Sequence, residues 1–333
     1  MPGPARRRLA RHFAQDIDGK VLFAAFTGKA ALVMRSKGCA NASTIHSLIY
    51  RPRDSGEEVP TFDLWDEAPA RNAKLIVIDE CSMVDAELGR DLLSFRVPLL
   101  VLGDPAQLPP INGGGFFTAA EPDAMLTEVH RQAQDNPIVR LSMEIRAGRE
   151  LAPGQYGETA IVRRSTLDPQ RVLKADQVLV GRNATRRAYN QRMRERRGFA
   201  DPLPMHGDKL VCLRNNKAKR LFNGGLWLVD ERPRLRRQIL GMRLKPDDEP
   251  AARPIKVRAR SECFTGGLED LAWEQRKRYE EFDFGYVLTV HKAQGSQWDD
   301  VVLFDESFAF ADSRARWLYT GVTRAAKRLT LVV

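Results

Sequence analysis

The sequence contains little cysteine and no long apolar run, and each of these features argues against certain classes of protein. Its four cysteines, Cys39, Cys81, Cys212 and Cys263, are far apart and form no C-x-x-C pair. This spacing argues against a zinc site or a disulfide framework, so a reducing cytoplasm fits best. No apolar run approaches the roughly 20 residues of a membrane helix. The basic residues 1–15 also lack the apolar region of a secretory signal.

A phosphate-binding loop of the form G-x-x-x-x-G-K-[ST] is also missing. Residues 23–30, FAAFTGKA, come nearest, but they lack the first glycine and end in Ala30, which has no hydroxyl for magnesium. No G-K-[ST] occurs anywhere in the 333 residues. The sequence therefore does not predict the usual cradle of backbone amides around the β- and γ-phosphates of a nucleotide.

The charge balance is strongly basic, with a formal net charge of +10 and a pI near 9.6. Such a balance favours a polyanionic partner such as nucleic acid, although exposed arginine-rich faces produce the same composition. Apolar residues make up 43% and charged residues 29%, as in globular proteins. The length suits about two domains.

Two short apolar runs each end in acid. Residues 75–78 and 98–102 have the length and β-branched content of buried strands; Asp79 and Glu80 follow the first, and residues 103–104 the second. In a parallel α/β sheet, ligands bind outside the carboxyl ends of the strands. Asp79 is therefore a candidate magnesium ligand, and Glu80 is placed to polarise a water molecule for attack on a phosphate.

Gln107 lies in the segment GDPAQLPP, which follows the second run. Its amide is expected beside the same edge, within reach of a phosphate or of the attacking water. For Asp79 and Glu80 taken alone, ordinary acidic turns after core strands are an equal alternative. The GDPAQLPP segment favours a ligand-binding site over ordinary acidic turns. Cys81, next to the acids, is interpreted as a small packing residue.

DECSMVD (79–85) and GDPAQLPP (103–110) resemble motifs II and III of superfamily 1 helicases, in particular the RecD-like branch of superfamily 1B. Further segments resemble other motifs of this family, and all occur in the family's order. They are TGKAA (27–31, motif Ia), ASTIH (42–46, the segment after it), HRQ (130–132, motif IV), HKAQGSQWD (291–299, motif V) and RWLYTGVTRA (316–325, motif VI).

The resemblance implies a role for each matching residue. Asp79 would hold Mg²⁺, Glu80 would activate water and Gln107 would sense the γ-phosphate. Arg131 and Arg324 would clamp that phosphate. For His46 taken alone, a capping or packing role is the alternative.

Two further groups follow from the same resemblance. The nucleotide-binding residues would be Asp79, Gln107, Arg131, Gly295 and Arg324. The DNA contacts would be Thr27, Lys29, Thr44, His46, His291, Lys292 and Ser296.

The resemblance also implies the architecture. We expect an α/β fold with two RecA-like, P-loop NTPase-type domains built on parallel sheets, residues 1–150 and 151–333. Alternation of apolar and polar residues within 207–260 predicts a small antiparallel insertion, similar to the family's SH3-like subdomain, at about 205–262. Residues 50–73 match a strand-separating pin by position, with a plain surface loop as the alternative.

Two highly charged segments of the second domain predict helices. For residues 183–198, a solvated face and a nucleic-acid surface are both open. Residues 266–282 form the other predicted helix. The arginines in and beside the first segment are Arg182, Arg186, Arg187, Arg192, Arg194, Arg196 and Arg197.

The function implied by the family is an ATP-dependent DNA helicase that moves 5′ to 3′ along single-stranded DNA. Its cofactors would be ATP and Mg²⁺, and its partners single-stranded DNA or duplex junctions, without membrane contact. The choice of DNA over RNA rests on the resemblance, and no partner subunit is predicted.

The missing phosphate loop keeps other hypotheses open. One is a nucleic-acid-binding protein with an inactive or truncated motor; another is completion of the motor by a second chain or an upstream segment. In the family a glycine-rich loop precedes a helix similar to LARHF (9–13), whereas RRR (6–8) stands there in this chain. A truncated or altered N-terminus, or a decayed copy, is therefore expected.

Overall fold

The chain forms two compact units in a computed structural model, which describes residues 11–12, 14–53, 62–110, 113–118, 120–125, 136–249 and 251–333. Met1–Glu150 and Asp312–Thr323 make up the first unit, and Leu151–Ala311 and Arg324–Val333 the second. Within these described ranges, no helix combines the length and apolar character needed to cross a membrane.

The first unit contains most of the N-terminal elements. In chain order they are β1 (Val21–Ala25), α1 (Gly28–Ser36), β2 (Ser43–Thr44), α2 (Ile45–Ile49), β3 (Tyr50–Pro52), β4 (Phe62–Leu64), β5 (Leu75–Asp79), α3 (Ala86–Ser94), β6 (Leu99–Val101) and α4 (Pro137–Arg146). A four-stranded parallel sheet runs β2–β1–β5–β6. Strands β3 and β4 pair as a separate antiparallel hairpin, and residues 54–61 between them lie outside the described part.

Helices cover both faces of this sheet because its central strands are apolar on both sides. Alternate residues of β1 and β5 enter two different core clusters, with Ile76 and Ile78 in one and Leu75 and Val77 in the other. Helices α2 and α3 contribute side chains to the first cluster, and α1 contributes to the second. This double coverage explains the unbroken apolar run of β5, all of which is buried.

The second unit begins at β7. Its elements are β7 (Gly154–Tyr156), β8 (Thr159–Val162), α5 (Pro169–Lys174), β9 (Gln177–Val180), α6 (Asn183–Arg196), β10 (Lys209–Cys212), β11 (Leu226–Val229), β12 (Arg234–Arg236), β13 (Ile239–Pro246), β14 (Ile255–Arg260), α7 (Glu262–Thr265), α8 (Trp273–Arg276), β15 (Phe282–Phe284), β16 (Val287–Thr289) and β17 (Trp298–Phe304). The next helix, α9 (Arg314–Val322), belongs to the first unit. The last strand, β18 (Ala325–Val332), belongs to the second unit again.

Two sheets make up the second unit. The first runs β16–β9–β17–β18–β8–β7 and is parallel except for β7, which pairs antiparallel with β8. The second is antiparallel and runs β12–β13–β11–β10–β15, with β14 on the other side of β13. Val178 and Val302 of the first share one core cluster with Trp227, Leu240 and Phe282 of the second.

The antiparallel sheet extends past the expected limit of about residue 262. Its strand β15 pairs with β10, at Leu210, Val211 and Cys212. The chain then passes directly into β16 of the parallel sheet. Strand β15 therefore joins the two sheets, and the insertion has no separate core.

The segment 312–323 was assigned to the second domain from the sequence, but it groups with the first unit. Helix α9 packs against α4, and the Arg146 guanidinium lies 5.9 Å from the centre of the Tyr319 ring. Trp317 of the same helix is fully buried. Side-chain packing of α9, which no local pattern reveals, decides this grouping.

The helix predicted over residues 266–282 is wrong. Only α8, Trp273–Arg276, is helical within it. Gly266 and Gly267 both adopt positive φ, 89° and 83°, which interrupts a helix. The Arg214 guanidinium donates hydrogen bonds to the backbone carbonyls of Arg276 and Lys277, so these carbonyls are not used in a longer helix.

Most arginines of the basic helix α6 have partners inside the second unit. Arg186 pairs with Asp283, Arg182 with Glu306 and Arg194 with Asp208. Arg192 lies over the Tyr189 ring, and Arg197 over the ring of Tyr286. Within the described part of the chain, only Arg187 and Arg196 show no partner. The arginine run is therefore largely structural.

Arg194 is the central member of this group. It is 5% exposed and donates to both carboxylate oxygens of Asp208, at 3.0 and 2.9 Å, and to the carbonyls of Asp201 and Leu203. Its guanidinium also lies 4.0 Å from the centre of the Phe284 ring. Asp208 is fully buried, so its charge depends on this pairing.

We predict that Arg194→Met destabilises the second unit by about 3–5 kcal/mol, because it leaves Asp208 buried without its cation. Arg196→Met, at an exposed position of the same helix, should change stability by no more than about 0.5 kcal/mol. Urea unfolding of the full chain measures both. Equal midpoints for the two variants would contradict the structural role of Arg194.

Candidate functional site

Because the strands of the first sheet are parallel, the carboxyl ends of all four lie at one edge, and the chain leaves each strand there. Ala25 at the end of β1 lies opposite Thr44 on one side and Asp79 on the other. Strand β6 pairs with β5 on its far side, and Asp104 follows it. Residues that are far apart in sequence are therefore neighbours at the carboxyl edge, where parallel sheets bind ligands.

Asp79 and Glu80 stand at the centre of this edge. Asp79 is fully buried, and Glu80 is 7% exposed. Glu80 has φ 58° and ψ 47°, the left-handed region, which typically costs a residue other than glycine about 1–3 kcal/mol. A strained, buried carboxylate directly after a central strand indicates that its direction matters for function.

The exits of β5 and β6 are held against each other. Leu102 N donates to Ile78 O at 2.8 Å, and Cys81 N donates to Leu102 O at 3.2 Å. A Cβ atom on Gly103 would lie 2.1 Å from Cys81 Sγ, so only glycine fits there. Cys81 belongs to the core cluster on that face. The interpretation of Cys81 as a packing residue is confirmed.

Asp104 organises the GDPAQLPP loop. Its Oδ1 accepts from Ala106 N at 3.0 Å, and its Oδ2 accepts from the Tyr319 hydroxyl of α9 at 2.6 Å. Thr320 Oγ1 accepts from Leu108 N at 2.9 Å. The predictions missed Tyr319 and Thr320, although the motif-like segment around them was a signal that could have found them.

Some buried polar atoms near Asp79 and Glu80 accept no hydrogen bond from the described residues. They include Gln107 Oε1 and Ser82 Oγ, the latter in the turn after Glu80. Buried polar atoms normally have a partner in the protein, a water molecule or a ligand. These atoms are therefore suited to contact a polar group of a ligand or a water molecule at this edge.

The donor set at this edge fits magnesium in one particular way. The described residues contain no cluster of three or more His, Cys, Asp or Glu side chains that could hold a metal by themselves. Magnesium in nucleotide sites is commonly held by one or two carboxylates, with waters and substrate phosphates as the other ligands. Asp79, with Ser82 and Gln107 beside it, suits that arrangement.

Thr27 and Thr44 begin helices at the same edge. Thr27 Oγ1 accepts from Ala30 N at 3.2 Å and caps α1; Thr44 Oγ1 accepts from Ser47 N at 3.3 Å and caps α2. Lys29 lies half-buried in the first turn of α1. Each threonine hydroxyl therefore has a structural partner, which the sequence interpretation did not include.

His46 packs among aromatic rings. Its ring centre lies 5.8 Å from that of Phe26, 5.6 Å from Tyr50 and 5.9 Å from Phe62. Burial lowers the pKa of His46, and the carboxylate of Asp85 offsets this only in part. The imidazole is therefore mainly neutral at pH 7. These contacts support the packing role that the sequence left as an alternative.

In the second unit the predicted residues separate into two groups. His291 and Lys292 follow β16 at the carboxyl edge of the parallel sheet. The loop then crosses to the amino edge, where Arg324 Nη1 donates to Ser296 O at 3.2 Å. Ser296 and Arg324 are 5% and 6% exposed. Gly295, at φ 75°, precedes Ser296 in this loop.

His291 and Lys292 are only partly accessible. The His291 ring centre lies 5.2 Å from that of Phe310, and burial lowers its pKa. Burial also lowers the pKa of Lys292, whose ammonium group donates to the side chain of Asn223.

Comparisons with known proteins agree with this geometry. Residues 5–166 match the AAA domain model, and residues 284–332 match a UvrD-like helicase C-terminal domain. The ATP-dependent RecD2 DNA helicase of Deinococcus radiodurans is 29% identical over 349 residues, 95% of this chain and 43% of that protein. The chain is thus similar in sequence to a RecD-type DNA helicase.

Other relatives agree with this assignment. The ATP-dependent DNA helicase dda of Enterobacteria phage T4 is 29% identical over 140 residues, 39% of this chain and 31% of that protein. The chain thus spans less than half the length of these curated relatives.

Solved structures share the fold of the chain. A Bacteroides Pif1 helicase in complex with ADP-AlF3 and ssDNA has a TM-score of 0.56 at 15% identity, covering 99% of this chain and 86% of that one. Pif1 helicase from Candida albicans has a TM-score of 0.55 at 15% identity, covering 100% and 94%. The predicted α/β class with parallel sheets is confirmed.

A buried carboxylate that no motif indicated organises the carboxyl edge of the parallel sheet in the second unit. Glu306, 2% exposed, accepts from Gly181 N, Arg182 N and Thr185 Oγ1 at 2.8, 2.9 and 2.6 Å. Burial alone would raise the pKa of Glu306, but the hydrogen bonds from Thr185, Arg182 and Gly181 lower it below its usual value. The acid pair Asp305–Glu306 after β17 was the available signal.

Arg131, the predicted γ-phosphate contact of the HRQ segment, lies outside the described residues. Residues 6–8, which stand where relatives have the glycine-rich loop, also lie outside them.

We predict that Gly103→Ala destabilises the first unit by about 1–3 kcal/mol, because the new methyl group overlaps Cys81 Sγ. Adding Cys81→Ala removes that atom, and the nearest remaining contacts, Cys81 N and Cβ, are then at 3.4 Å. The double variant should therefore recover most of the loss in urea unfolding. A double variant no more stable than Gly103→Ala would disprove this packing constraint.

Proposed function

We propose that this chain provides the motor of an ATP-dependent DNA helicase, which moves 5′ to 3′ along single-stranded DNA. The observation that supports this best is the acid pair Asp79–Glu80, buried at the carboxyl end of a central parallel strand, with Gln107 on the neighbouring exit. Two curated relatives, both ATP-dependent DNA helicases, support the same activity.

In this proposal the nucleotide lies at the carboxyl edge of the first sheet. Asp79 holds Mg²⁺, which supplies charge neutralisation to the phosphates when bound. Glu80 accepts a proton from the attacking water, and its fixed left-handed backbone directs the carboxylate. Gln107 Oε1, which accepts no hydrogen bond from the described residues, contacts the γ-phosphate or that water.

Arginines complete the charge stabilisation in the proposed mechanism. Arg131 and Arg324 contact the γ-phosphate, where added positive charge accelerates phosphoryl transfer. In the structure Arg324 Nη1 donates one hydrogen bond to Ser296 O. A guanidinium has five N–H donors, so this bond is compatible with a phosphate contact. Gly295, next to Ser296, belongs to the same nucleotide-side group.

Single-stranded DNA contacts both units in the proposal. Helix N-termini capped by Thr27 and Thr44 present backbone amides that suit phosphates, with Lys29 adding charge. His46, packed among aromatic rings, contributes as a neutral donor. His291, Lys292 and Ser296 are the proposed contacts of the second unit. The β3–β4 hairpin is the proposed pin.

A second candidate is a nucleic-acid-binding protein that does not turn over ATP. The absence of a G-x-x-x-x-G-K-[ST] segment from the 333 residues favours it. The net charge of +10 is compatible with both candidates, because each requires a polyanionic partner.

ATP hydrolysis distinguishes the two candidates. The chain is assayed with and without single-stranded DNA, beside a variant in which GTGKT replaces Arg6, Arg7 and Arg8. Hydrolysis stimulated by DNA in either protein supports the motor. Retained DNA binding without hydrolysis in both supports the second candidate.

We predict that Glu80→Gln lowers kcat for ATP by about 10²–10⁴ in whichever form hydrolyses it, because the general base is lost. Affinity for single-stranded DNA should be unchanged. Glu87→Gln, an exposed position near the start of α3 with the same charge change, serves as the control and should retain full activity. Full hydrolysis by Glu80→Gln would refute the assigned role.

A further inference from the structure

One face of the antiparallel sheet in the second unit carries a row of cations on three neighbouring strands. Strand β13 pairs with β12 on one side and β14 on the other. Its residues Leu240, Met242 and Leu244 are buried in the core, so the alternate positions of the three strands point outward. We call these outward positions the basic face; its cations are Arg234, Arg236, Arg243, Lys256, Arg258 and Arg260.

The cations of the basic face stand in register across the strands. Arg234 and Arg258 both pair with Gly241, and Arg236 and Arg260 both pair with Ile239. Arg243 lies directly opposite Lys256. Like charges directly opposite each other destabilise a sheet, so this arrangement costs stability in the isolated protein.

Part of this charge is not neutralised. Arg243 pairs with Glu231, and Arg260 with Glu262. No carboxylate among the described residues pairs with Arg234, Arg236 or Lys256. The hairpin turn between β12 and β13 adds another exposed cation, Arg237, at its tip.

Gly241 leaves the centre of the basic face bare. A Cβ atom there would meet only Arg234 O, at 3.8 Å, so packing does not require glycine. Glycine inside a strand weakens it and often marks a place where a ligand approaches the backbone closely. Here the bare backbone lies between Arg234 and Arg258.

Protection of an edge strand is the simplest alternative for exposed arginines. It accounts for Arg234 and Arg236, because β12 ends the sheet. It also accounts for Lys256 and Arg258, because β13 is the only described strand that pairs with β14. It does not account for Gly241 in the strand between β12 and β14, or for the alignment of the cations across the three strands. An anion seated on the face accounts for all of these together.

We propose that the basic face binds the phosphate backbone of duplex DNA. This rests on the proposed function, because a helicase meets duplex DNA next to its single strand. Single-strand sites usually add aromatic side chains on which bases stack. The outward positions of β12, β13 and β14 contain none, and phosphate contact alone suits a duplex.

Equilibrium binding of a short blunt duplex and of a single strand to the full chain tests the proposal. Arg234→Gln/Arg236→Gln should weaken duplex binding about tenfold and make the slope of log Kobs against log salt shallower by about 2. Lys174→Gln/Arg196→Gln removes the same charge at exposed positions away from the face and should have little effect.

A substitution that leaves the net charge unchanged tests whether duplex binding depends on the shape of the basic face as well as on its charge. Gly241→Val should fill the gap between Arg234 and Arg258 and weaken duplex binding, while its urea midpoint stays equal or rises. Single-strand binding should be unchanged in every variant.

Two outcomes would overturn the proposal: no duplex binding by the unchanged chain, or equal losses in the face and control variants. The proposed helicase function survives these if DNA-stimulated ATP hydrolysis remains. Conversely, face-dependent duplex binding without hydrolysis would support the basic face and contradict the motor.

Discussion

The in-register parallel pairing of β1, β5 and β6 is the constraint on which the candidate site depends. It aligns Ala25 with Asp79 and brings the two strand exits together. Gly103 against Cys81 leaves no room for a side chain between these exits. The left-handed Glu80 and the Asp104–Tyr319 hydrogen bond then direct the two acidic turns. Displacement of either strand would separate the groups that we propose to act on one phosphate.

The same short pattern serves two purposes in this chain. An acid pair follows a buried strand at Asp79–Glu80 and again at Asp305–Glu306. At the second place, Glu306 is occupied by amides and hydroxyls of the chain itself and orients the start of α6. At the first, the neighbouring Gln107 and Ser82 still have buried atoms to satisfy. The surrounding hydrogen bonds, not the dipeptide, separate a structural carboxylate from a candidate catalytic one.

The positive charges of the second unit likewise serve two purposes, one structural and one as a proposed binding surface. The arginines of α6 are close together in sequence, yet most of them neutralise acids or stack on rings within the second unit. The cations of the basic face are spread over three strands and become a surface only when those strands pair. The net charge of +10 therefore indicated a polyanionic partner without locating its surface.

The sequence by itself determined the α/β class, the strand ends that carry Asp79 and Gln107, and the resemblance to RecD-like helicases, because these depend on local apolar runs and contiguous motifs. Only the tertiary structure decided that α9 packs in the first unit, that Ser296 and Arg324 lie at the edge opposite His291, and that residues 266–282 are not one helix. Each of these depends on pairings between distant segments, and no local spacing encodes such pairings.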